Sequence, residues 1–212
     1  MPKLLTRLEA QLSNLREYLL PKEEEFDPAG NYPDVAVTKA IAYRVLAHAE
    51  IESYLEERAK EVVLKAIKSW KTNQNSGRVL LSLLAFSGMS MESPPSSILP
   101  IQDSQKKTWS EKIDLDEKIN KAVNAFYYNI SKNHGIKEEN LCQILLPIGF
   151  SPEKFDPTWL NDMSSFGEMR GEAAHSTSLN IRIAINPKDE LTTVNNLLLG
   201  LKSIDAKLEE LS

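Results

Sequence analysis

Between residues 34 and 70 the chain has no proline and no glycine, and its apolar side chains recur at helical spacing. The repeat runs Ile41, Val45, Ile51, Tyr54, Leu55, Ala59, Val62, Val63, Ala66, Ile67 and Trp70. Apolar residues every third or fourth position put one face of a helix against a core, and Asp34 supplies an N-cap. At about 1.5 Å per residue this helix is about 50 Å long. A helix of that length is a bundle spine or a dimer interface.

The rest of the chain follows the same period. Leu4, Leu5, Leu8, Leu12, Leu15 and Leu19 form an amphipathic stripe that Pro21 ends, and 22–33 is a loop. A polar break at 72–77 precedes a short buried helix over 78–88, then a Pro- and Ser-rich loop over 89–104. Between 72 and 100 only Arg78 and Glu92 are charged, so the stretch of about 72–110 reads as an insertion, either packed on a partner or an ordinary surface excursion. Helical spacing resumes at 114–133 and 138–146. Asp156-Pro157 opens a helix over 158–177 as a cap followed by proline at the first helical position. Residues 181–185 alternate and predict a short extended piece, and Pro187 with Asp189 opens a last helix to about 210. A lone extended segment makes no sheet. The expected fold is all-α: a single helical domain over 1–212, a bundle around one long spine helix.

With 42% hydrophobic and 26% charged residues the chain is composed as a globular protein. Charges interrupt the N-terminus too often for a signal peptide, and no apolar run reaches the ~20 residues of a membrane span, so a cytoplasmic protein without a membrane partner is expected. A net charge of −5 argues against nonspecific coating of nucleic acid, but not against a small RNA site. The one cysteine, Cys142, reads as a small apolar residue among Leu141, Ile144 and Leu145. Three scattered histidines have no metal-ligand spacing, and no Walker-type lysine follows a glycine. No metal and no cofactor are expected.

Chemistry concentrates in Leu160-Asn161-Asp162-Met163-Ser164-Ser165-Phe166-Gly167-Glu168-Met169-Arg170-Gly171-Glu172-Ala173-Ala174-His175. Arg170 and His175 are five residues apart, about 140° around a helix, so they share no single face. One phosphate takes both only through long side chains, an irregularity at Gly171, or a second protomer. The plain alternative is a surface Arg170 and a His175 that caps a helix C-terminus. A second set, Arg44, His48 and Glu52, forms one polar stripe at i, i+4, i+8. It reads as an RNA-contacting line with Arg44 and His48 as donors, as a solvated, salt-bridged face, or as a structural network at a dimer interface. His134, beside Gly135, reads as a helix terminus with no assigned role.

The Arg170–His175 segment resembles the Arg-polar-x-x-x-His signature of HEPN domains, nearest to the RiboL-PSP-HEPN and related defence-associated groups. Family members often carry Asn, Asp or His after the Arg; here the residue is Gly171. The resemblance implies a bundle that homodimerises, bringing two Arg-His pairs into one cleft. It also implies metal-independent RNA cleavage, in which a 2′-hydroxyl attacks the adjacent phosphate. His175 would be general acid or base, Arg170 would stabilise the phosphorane, and Glu172 would orient them. The expected protein is a toxin or antiphage endoribonuclease acting on tRNA or mRNA under an antitoxin or sensor protein. The rival expectation is a non-catalytic helical interaction module of a defence complex.

Overall fold

A computed structural model of the chain describes residues 4–88, 114–175 and 185–211, with the side chains of 172–175 outside that description. The expected loop over 89–104 and nearly all of the expected extended piece over 181–185 lie outside the described residues. The fold is all-α, and the described residues contain no strand. The helices are α1 (Leu4–Leu19), α2 (Asp34–Asn73), α3 (Gly77–Phe86), α4 (Leu115–Ile130), α5 (Glu138–Leu145), α6 (Pro157–His175) and α7 (Pro187–Glu209), with short 3-10 turns at Glu23–Glu25 and Pro152–Lys154.

Helix α2 is the spine, and each of the other described helices packs against it. It spans 40 residues, about 60 Å, longer than expected, because nothing in Lys71-Thr72-Asn73 stops a helix. Gln74 ends it in a left-handed conformation at φ 54°, its N–H held by the Trp70 carbonyl. At the other end Pro33 occupies the cap position, one residue before the expected cap Asp34, which is instead the first helical residue.

The buried face of α2 also differs from the expected stripe over its first half. Ile41 and Val45 are only half-buried, while Ala40, Tyr43, Arg44, Ala47 and His48 face the core. Two polar side chains therefore sit where the bundle is most tightly closed. Arg44 is paired there: its Nε and Nη2 donate to Glu190 on α7 at 2.8 and 2.5 Å. Further along, buried Arg58 donates to Asp205 at 2.6 Å and to Glu209 at 2.6 Å, and Tyr54 donates to Asp205 at 2.8 Å. Because Arg44 meets Glu190 and Arg58 meets Asp205, α2 and α7 run parallel. The steps match at 14 and 15 residues, about 21 and 22 Å. Helix α1 runs the other way along α2, with Arg7 paired to Glu57.

No described helix is long and apolar enough to cross a membrane.

Candidate functional site

Helix α6 begins as its sequence expects. The Asp156 carboxylate accepts from the Trp159 N–H at 2.9 Å, and Pro157 follows it. Trp159, Met163 and Phe166 are buried, and their i, i+4, i+7 spacing defines the face that docks on the bundle. Arg170, one turn beyond Phe166, continues that face and is half-buried.

On the opposing helix the stripe from Arg44 to Glu56 meets a different partner at each turn. Arg44 is committed to Glu190. His48 is 1% exposed, and its ring stacks on Phe166 with centroids 6.2 Å apart. Glu52 stands one turn further, its side chain 18% exposed, with one oxygen 3.5 Å from His48 Nδ1. Glu56 accepts from Asn133 at 3.0 Å. Neither Arg44 nor His48 is therefore presented to solvent, and the expected RNA-contacting line is an intramolecular docking rail. The groups that pair with or bury the stripe, Phe166 of α6, Glu190 of α7 and Asn133 of the α4–α5 loop, are far away in sequence.

Burial sets the protonation of this rail. It pushes the His48 imidazole down to about 4, and the nearby Arg170 guanidinium pushes the same way. His48 is thus neutral at pH 7, and its approach to Glu52 is not an ion pair although the distance would allow one. Nδ1 of His48 is buried without a hydrogen-bond partner among the described residues. Burial and the neighbouring Glu56 raise Glu52, while Arg170 and His134 hold it down. Glu52 is consequently a carboxylate under opposing fields, from Glu56 on its own helix and from Arg170 of α6 and His134 of the α4–α5 loop.

Arg170 has no carboxylate at ion-pair distance among the described residues. A half-buried guanidinium with no carboxylate partner among the described residues has a planar fork that fits an anion such as a phosphate. His175 closes α6 as its last helical residue. The Glu172 and His175 side chains lie outside the described residues. A Cβ at Gly171 meets nothing within 4 Å, so the polar side chain often found there in the HEPN pattern would find room. Among the described residues no group of three His, Cys, Asp or Glu is arranged to hold a metal ion. Sequence reading named Glu52 only as part of a stripe and gave His134 no role. Spacing could have pointed to Glu52; no local signal marks His134.

A model of the RiboL-PSP-HEPN family matches residues 12–210. Neither a curated protein nor a solved structure matches the chain.

Proposed function

The chain belongs to the RiboL-PSP-HEPN family, and from that premise we propose that it is a metal-independent endoribonuclease, a toxin or antiphage effector that works as a homodimer. The observation that carries the proposal is Arg170: a half-buried cation left without an ion-pair partner among the described residues, close enough to Glu52 to hold its pKa down, and five residues before His175. HEPN membership supports RNA-directed catalysis in general; the residue roles are our own assignment.

In the proposed reaction the ribose 2′-oxygen bonds to the adjacent phosphorus and the P–O5′ bond breaks, leaving a 2′,3′-cyclic phosphate. A proton leaves the 2′-hydroxyl and another reaches O5′. His175 exchanges one of them, since imidazole titrates near neutral pH. Arg170 bears the charge that builds on the phosphorane oxygens, which its fork fits in geometry and sign. Glu172 orients the pair. The RNA is tRNA or mRNA, and an antitoxin or sensor protein restrains the enzyme. Because Arg170 and His175 diverge by about 140° around α6, the second protomer completes the cleft.

The test is incubation of the purified chain with total tRNA and mixed-sequence RNA in excess EDTA. Cleavage is expected, blocked by a 2′-deoxy nucleotide at each cut. Arg170→Ala and His175→Ala should each lower the rate by about 10²–10⁴-fold with the melting temperature kept. A folded wild type that leaves every RNA intact refutes the proposal. It would favour the second reading, a non-catalytic helical module, which rests on Leu81 and Phe86 of α3, exposed at 57% and 61%.

A further inference from the structure

The loop joining α4 to α5 is pinned on both sides of the Arg170 site. On the α2 side, buried Asn133 donates from one amide nitrogen to Glu56 Oε1 at 3.0 Å and to the Gly135 carbonyl at 3.0 Å. Its oxygen accepts from Asn140 at 3.0 Å, and the Asn140 oxygen accepts from the Lys137 N–H at 3.0 Å. Gly135 makes this clamp possible, since a Cβ there would lie 2.9 Å from the Asn140 oxygen. On the α6 side, the Glu138 N–H donates to Ser164 Oγ at 3.1 Å, and Lys137 Nζ reaches Glu168 at 3.5 Å. The loop therefore bridges α2 and α6 in the two turns that precede Arg170.

Between the clamping Asn133 and Gly135 stands His134, exposed and unlike His48 in every respect. Its backbone is fixed by its neighbours, so the ordering cost of placing the residue is met in folding rather than on binding. Asn133, just before it, is bound to Glu56, one turn along α2 from Glu52, and the far end of the loop is bound to Ser164 and Glu168 of α6, just ahead of Arg170. His134 and Arg170 thus stand on two segments held together at one place, both acting on the field at Glu52, and an imidazole N–H and a guanidinium there suit neighbouring phosphates of one strand. Imidazole donates to a phosphate oxygen through one ring N–H in either protonation state.

We propose that His134 is a second RNA-contacting residue of the Arg170 site, donating to a backbone phosphate of the strand whose scissile phosphate Arg170 holds. The inference rests on the endoribonuclease reading and adds a residue outside the Arg-His motif.

The test uses diethylpyrocarbonate modification of the full chain, read by peptide mass spectrometry, with and without a single-stranded 2′-O-methyl RNA that cannot be cut. His134 is expected to react in the free protein and buried His48 to stay unreactive as an internal reference. Bound RNA should protect His134, and Arg170→Ala should abolish that protection at the same RNA concentration. His134→Ala should weaken binding of the same RNA about tenfold, as loss of one hydrogen bond to a charged oxygen does, with its melting temperature unchanged. Equal modification of His134 with and without bound RNA, in a protein that still cuts ribose RNA, overturns the inference and leaves the nuclease reading standing. RNA that is neither bound nor cut overturns both.

Discussion

Arg44 is a charge removed from water whose ion-pair partner among the described residues is Glu190 on the last helix. Removing one partner of such a pair strands the other, so Arg44→Ala should cost about 3–5 kcal/mol, measured by urea unfolding. Replacing Arg44 and Glu190 together by apolar residues of similar volume should recover most of that loss. His48 offers a pH-dependent counterpart. Its folded-state value is about 4 against 6.5 unfolded, so the unfolded chain binds the extra proton between those values. Its contribution is complete above about pH 6.5 and is lost on the way down to about 4, on the order of 3 kcal/mol in all. Glu52, raised by burial, works in the opposite direction over the acid range, and Arg170 is the cation that faces both. Thermal melts from pH 7 to 4 should show a shallower decline for His48→Phe than for wild type. At this scale the sequence points to Arg170 and His175 through their helical setting and their resemblance to the HEPN signature, since the spacing by itself is weak. For Arg44 and His48 the sequence leaves an RNA-contacting line, a solvated face and a structural network open, because a polar side chain buried by a partner far along the chain looks, locally, like one facing solvent; the structure buries both, Arg44 against Glu190 and His48 against Phe166.

Helices were the most legible feature, and their ends the least. The Asp156-Pro157 start of α6 and the proline start of α7 are local chemistry and were readable. Asn186, which caps α7 by accepting from the Lys188 N–H at 2.9 Å, was passed over in favour of Asp189. The contact between α6 and α7 supplies a case where magnitudes decide. Gly200 lies inside α7, where helix propensity alone makes alanine better by about 1 kcal/mol. A Cβ there would sit 2.1 Å from the indole of Trp159, a ring buried and tethered by its N–H to the Leu197 carbonyl at 3.1 Å. Overpacking a fixed aromatic costs about 1–3 kcal/mol and outweighs the propensity gain. Gly200→Ala should therefore lower the melting temperature, and its Trp fluorescence should report the displaced indole.

For the whole molecule the sequence supplies the class, all-α with a long spine, and the family pattern. It does not supply the arrangement, because the contacts that set it join the two ends of the chain. If two protomers complete each cleft, as we propose, the defects of Arg170→Ala and His175→Ala are complementary. Mixed and reassociated, the two inactive variants should regain part of the wild-type cleavage rate, measured against each variant alone. Mixing that restores nothing, with heterodimers demonstrated by mass, would place the full site within one chain.

The parallel clasp between α2 and α7 also bears on how the protein is made. A ribosome delivers Arg44 146 residues ahead of Glu190 and Arg58 147 residues ahead of Asp205. Arg170 emerges in that interval. Until α7 follows, Arg44 lacks the carboxylate of Glu190, Arg58 has Glu61 of its own helix but neither Asp205 nor Glu209, and the helix that packs on both α2 and α6 is missing. A chain stalled short of α7 thus carries the whole Arg-His motif without the last helix, which packs on both the spine and the helix that bears the motif.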